Sequence, residues 1–180
     1  MRTFWKVYIL LLFLLTACNL LGPEKAPSRG TETPISDDSY SECGFVWARK
    51  PLEDLSQEFD QALKKVQPQA IGYAEAYGEN CINNQGELVR LLAMETDFHI
   101  NIKVKDLSDK QANGKLIEQI LGVVSKFPVA ETPGPQPGYV GVTFESGGEE
   151  IRLWFTQLQA QTAIESGLRG EKLFDALQAK

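Results

Sequence analysis

A chain of 180 residues that is 43% hydrophobic and 23% charged has room for one domain with a sizeable core. Its formal net charge of −6 excludes nucleic acid and bare anionic lipid as main partners, because both demand a basic surface.

The chain opens with Arg2 and Lys6, followed by an unbroken apolar run from Val7 to Leu15. That run is too short to cross a bilayer as a helix, which takes about 20 residues. It has the length of a secretory signal core and ends in small residues. Leu15-Thr16-Ala17-Cys18 resembles the lipobox of bacterial lipoproteins. The resemblance implies removal of residues 1–17 as a signal peptide and attachment of diacylglycerol (palmitate among its acyl chains) to Cys18. It also implies a lipid anchor on the extracytoplasmic side of a cell membrane or at the cell surface. The alternative is an ordinary signal peptide or an uncleaved anchor. Two or three acyl chains, at about 0.8 kcal/mol per buried methylene, would hold the protein durably. Loss of Arg2 and Lys6 takes the formal charge to −8.

Residues 18–42 read as a lipidated tether, with Pro23, Pro27 and Pro34 among Gly, Ser, Thr and Asp and little apolar periodicity. Such a stretch buries too little surface to offset the entropy of ordering it. As a flexible coil it spans about 25–30 Å. The folded domain is expected over residues 43–180. With Cys18 lipidated, Cys43 and Cys81 remain, and an oxidising envelope allows them one pairing. That disulfide would close a loop worth about 4 kcal/mol on the chain-entropy account. Two thiols on a metal are the alternative, but no further ligands stand at suitable spacing.

Within the domain, Pro51 to Val66 predicts a helix with Leu52, Leu55, Phe59, Ala62, Leu63 and Val66 on one stripe. Residues 69–78 predict a strand whose small side chains (Ala70, Gly72, Ala74, Ala76) alternate with Ile71, Tyr73, Glu75 and Tyr77. The small face either admits a helix closely or forms the outside. Glu79 to Glu87 reads as a loop. From Leu88 to Lys105 the alternation of Thr96, Phe98, Ile100 and Ile102 with Asp97, His99, Asn101 and Lys103 predicts an antiparallel strand with one wet face. A parity break predicts a bulge near Arg90–Ala93. Ser108 to Gln111 resembles a capping box opening a second helix, which Pro128 stops.

After a proline-rich connection, Tyr139–Glu145 and Glu150–Thr156 predict a hairpin turning at Gly147-Gly148, and a last helix is expected from Glu171 to Gln178. The expected fold is α+β, a two-layer sandwich. Its four-stranded, mainly antiparallel sheet carries helices on one face, in the order helix–hairpin–helix–hairpin–helix.

No nucleophile elbow, phosphate loop, dinucleotide fingerprint or zinc-protease pair occurs, and no cofactor or metal is implied. Glu95, Asp97 and His99 share the wet face of one strand, which makes them the one acid–base or metal candidate. Neighbours two apart on a strand lie about 7 Å from each other, so the three cannot converge without a second strand. If Leu153 and Phe155 face the helices, Arg152 and Trp154 face away. With His99, Asn101 and Tyr73 or Tyr77, they would form an aromatic–polar platform of the kind found at binding hot spots. Alternatively Leu158–Lys180 folds across that face and buries Trp154. Trp47 is expected to pack against the disulfide.

Three stretches carry a second resemblance: Cys43 to Ala48, Gly78 to Cys81 and Met94 to Phe98. They resemble corresponding stretches in small bacterial lipoproteins, and that likeness implies no activity. The expectation is a non-enzymatic binding or accessory module for an envelope protein or small ligand. The alternative is a small metal-dependent or acid–base enzyme built on Glu95, Asp97 and His99.

Overall fold

The computed structural model describes residues 43–178. Cys18, the signal segment and the tether lie outside the described residues. In chain order the elements are β1 (Gly44–Pro51), α1 (Glu53–Lys64), β2 (Ile71–Ile82), β3 (Leu88–Lys103), α2 (Lys110–Val124), a 3-10 turn (Val129–Glu131), β4 (Gln136–Ser146), β5 (Glu149–Thr156), α3 (Gln157–Glu165) and α4 (Gly170–Gln178). The strands form one five-stranded sheet in sequential order. β1–β2, β2–β3 and β4–β5 are antiparallel, whereas β3 and β4 run parallel.

The fold is α+β as expected, but three features differ. A fifth strand, β1, precedes the first helix. The sheet is mixed, because α2 carries the chain back over the sheet and delivers β4 beside β3 in the same direction, as a crossover must. Two helices close the chain instead of one, so the helix–hairpin series does not describe it. Strand β1 escaped detection because Phe45, Val46 and Trp47 stand consecutively apolar, without a polar alternate.

The core lies between the sheet and the helices. Phe59 and Leu63 of α1, Ile117 and Ile120 of α2, Ala160 of α3 and Phe174 of α4 pack with Phe98, Ile100, Val142, Phe144, Leu153 and Phe155 in one buried cluster. The small residues of β2 face these helices. A Cβ on Gly72 would stand 2.8 Å from the Phe59 ring, so the stripe of Ala and Gly admits α1 at close range. Where β1 ends, α1 takes over the edge of β2. The Gly72 N–H donates to Asp60 Oδ1 at 3.0 Å, the Ala74 N–H donates to Ser56 Oγ at 2.9 Å, and the Ala74 carbonyl accepts from the Leu52 N–H at 3.0 Å. These bonds satisfy backbone groups that a strand would otherwise pair.

Two register shifts flank the expected stretch, one at Met94, where Tyr77 pairs with Glu95 but Gly78 with Ala93, and one at Val89, where Cys81 pairs with Arg90 but Ile82 with Leu88. Strand β2 continues through Glu79–Ile82, so the loop is only Asn83–Glu87. The α2 cap is Asp109, whose carboxylate accepts the Ala112 N–H, and not Ser108. A true capping box stands at Thr156 and Gln159, opening α3. Cys43 and Cys81 form the disulfide, with Cα atoms 5.1 Å apart, fastening the start of β1 to the far end of β2.

Candidate functional site

The sheet face opposite the helices gathers its side chains by strand alternation. Tyr73, Glu75 and Tyr77 come from β2, Asp97 and His99 from β3, Tyr139 from β4, Trp154 from β5, and Trp47 and Arg49 from β1. Helices α3 and α4 pack on the other face, with Phe144 against Phe174 at 6.0 Å, so residues 158–178 do not bury Trp154.

Two aromatic groups stand on this open face. Tyr73 and His99, directly opposite across β2 and β3, stack at 4.5 Å. His99 meets Trp154 at 5.1 Å, and Trp154 stacks on Tyr139 at 5.3 Å, so four rings run without a gap. Trp154 reaches His99 because β4 offers only Gly141 between them. A Cβ there would lie 2.4 Å from the indole. On the other side, Trp47 stacks on Tyr77 at 5.3 Å, and Arg49 lies 5.0 Å over the Tyr77 ring. Trp47 therefore packs on a tyrosine, not on the disulfide as expected, and stays 57% exposed.

Between the groups lies a charged cluster. The Arg49 guanidinium donates to Glu75 and, at 3.2 Å, to Asp97 Oδ2. The other Asp97 oxygen accepts the Tyr139 N–H at 2.8 Å, which explains how a carboxylate can be 1% exposed here. Glu75 Oε1 is also 3.0 Å from His99 Nε2. Burial of Arg49 works against its charge, but hydrogen bonds and attraction from Glu75 and Asp97 outweigh it and raise its pKa above the ordinary value. Glu95, outside this network, has its carboxyl raised by partial burial and by the Asp97 charge, with Arg49 opposing.

Asp97 and His99 do converge with a third ligand-type group, but that group is Glu75 of the neighbouring strand and not Glu95. Their ligand atoms lie within 4.8 Å of one another. Among the described residues these three are the group that could hold a cation, and Arg49 already neutralises two of them. Arg152 stands on the same face two residues before Trp154, 71% exposed, and pairs with Glu150 of its own strand at 2.8 Å. Sequence reasoning missed Glu75, Arg49 and Tyr139. The alternation of β2 and β4 was readable, but joining them to His99 required the order of strands and the parallel β3–β4 pairing.

No helix among the described residues is long and apolar enough to cross a membrane. No protein-family model, curated protein or solved structure matches this chain, so its function is argued from the geometry of this face.

Proposed function

We propose that this protein is a non-enzymatic binding module of the bacterial envelope, held to a membrane by lipid on Cys18, that captures its ligand on the open sheet face. The observation that carries the reading is the continuous row of Tyr73, His99, Trp154 and Tyr139 on a face that no described element covers. Within the row Tyr73 is exposed while His99, Trp154 and Tyr139 are half-buried and keep an edge toward solvent, and aromatic side chains concentrate at the centres of binding sites. Glu75 and Arg49 beside the row supply hydrogen-bonding groups that fix orientation. The neighbouring carboxylates disfavour a polyanionic partner and leave an envelope protein or a small polar ligand with apolar faces. A metal or acid–base centre at Glu75, Asp97 and His99 is the weaker reading, because Arg49 already provides the positive charge that an ion would bring.

Affinity capture from native envelope extract tests the reading, using the oxidised chain beside a Trp154→Ala copy whose fold is checked by circular dichroism. The expected outcome is a ligand held by the first and lost by the second. A ligand held equally by both, or none held by either, overturns it.

A further inference from the structure

Strands β1, β2 and β3 run past the rest of the domain at one end. Strand β4 joins β3 only from Glu95 onward, and α1 packs over Gly72, so residues 44–48, 78–82 and 88–93 form a three-stranded extension. None of its residues belongs to the core cluster, and the Cys43–Cys81 disulfide ties its outer end. It carries five of the ten large apolar side chains that stand exposed among the described residues. These are Phe45, Val46, Trp47, Leu88 and Val89, each 49–59% exposed. Strand pairing puts them on both faces. Phe45 and Trp47 share a face with Cys81 and Glu79, whereas Val46 lies opposite Asn80 and Leu88 opposite Ile82 on the other.

We propose that this extension is a membrane-contact tip, whose apolar side chains enter the interfacial layer of the bilayer that carries the lipid on Cys18. The inference rests on the lipid anchor of the function proposed above. Exposed apolar patches mark protein or membrane contacts, and two observations select the membrane. The first is connectivity. Residues 19–42 link the anchored cysteine to this same end, because the chain enters the domain at Cys43 beside β1. A coil of that length spans about 25–30 Å, so the anchor supplies a high local concentration and a weak affinity suffices. The second is that both faces are apolar. A protein partner covers one face of a sheet, whereas a thin tip with Phe45 and Trp47 on one side and Val46 and Leu88 on the other suits a medium that surrounds it.

Backbone chemistry limits the depth. No described strand pairs with the outer side of β1, or of β3 before Glu95, and unpaired N–H and C=O groups are too costly in hydrocarbon. The tip therefore stays in the interfacial layer, where amphipathic elements bury about 5–10 Å deep and where Trp is enriched. Its charges are mixed, Arg90 with Glu79 and Glu87, so the contact does not call for anionic lipid. That agrees with the net charge of −6.

The test uses the oxidised chain from Cys18 onward, with the Cys18 thiol coupled to a maleimide lipid in neutral phosphatidylcholine vesicles. Coupling supplies the anchor chemically, whereas palmitate labelling of cells making the unsubstituted or Cys18→Ser chain measures attachment itself. Failure of the anchor and failure of the contact are thus read apart. Trp154→Phe leaves Trp47 as the one tryptophan from Cys18 onward, and circular dichroism checks that each variant folds. The expected result is a blue shift of Trp47 emission on vesicles and its quenching by phosphatidylcholine brominated on the acyl chains. Phe45→Asp and Leu88→Asp, one on each face, should each weaken the contact about tenfold, read as loss of that quenching. Emission that vesicles leave unchanged, or quenching that survives either substitution, overturns the proposal. So does a blue shift without quenching in a chain that sediments as a dimer, which gives the tip to a second copy.

Discussion

The two faces of the sheet are written on the same strands, in alternate residues, and obey different rules. On the helix-covered face, Phe98, Ile100 and Ile102 of β3 meet a continuous apolar layer, and what matters is volume. On the open face, Asp97 and His99 of the same strand meet named partners one at a time, and what matters is pairing. The covered face is held by close packing that any apolar side chain of the right size can join. The open face is held by a few specific contacts, each anchored on a different strand. The lesson is that a buried carboxylate on the open side is as firmly placed as a core phenylalanine, by hydrogen bonds in place of dispersion.

This contrast breaks most visibly at Phe59. It fills the space over Gly72 and touches Phe98 at 4.8 Å and Phe127 at 5.7 Å. Phe59→Ala should cost about 3–5 kcal/mol in denaturant unfolding, the usual range for a large core truncation. The open sheet face of any protein that still folds should be left intact. A loss under 1 kcal/mol would mean that α1 does not hold the core as described.

The open face should break through charge. Arg49→Met leaves Asp97 buried with the Tyr139 N–H but no cation. Removing one partner of a buried pair costs about 3–5 kcal/mol. Because Arg49 itself is half exposed, solvent screening brings the expected loss to about 2 kcal/mol. Asp97→Asn on the same background should recover part of it, since the neutral amide keeps an acceptor for Tyr139. Failure of that recovery in the double variant would show that the loss comes from Arg49 packing on Tyr77, not from the stranded carboxylate.

The smallest effect sharpens the comparison through pH. Glu95 has a raised folded-state pKa, so the folded chain favours its protonated form. The stability this provides is fully present below the ordinary carboxyl value and is lost as pH rises through the raised value. Glu95→Gln removes that dependence. At neutral pH it should stabilise the chain by about 0.5 kcal/mol after allowance for solvent screening, with the gain shrinking toward acid. Equal stability of the two chains at neutral pH would mean that neither partial burial nor the Asp97 charge penalises the Glu95 carboxylate.

The legibility of the site followed that of its strands. Asp97 and His99 were found because β3 alternates cleanly between apolar and polar residues, and Trp154 because it stands between the inward-facing Leu153 and Phe155 of β5. Their partners were not, since Glu75 and Arg49 are distant in sequence and ordinary in type. Glu95 was favoured over Glu75 because it lies near His99 along the chain, whereas the sheet makes the cross-strand residue the neighbour.

By itself the sequence determined the α+β class, the helical stripes of α1 and α2, and the inward faces of β3, β4 and β5. Each follows from local periodicity, which requires no knowledge of distant contacts. Tertiary structure alone decided that β1 joins the sheet and that β4 runs parallel to β3. It also decided that the Ala–Gly stripe of β2 lies under α1, and that Trp154 spans Gly141 to reach His99. Those outcomes depend on which strand lies next to which, a choice made by packing over the whole domain that no local pattern records.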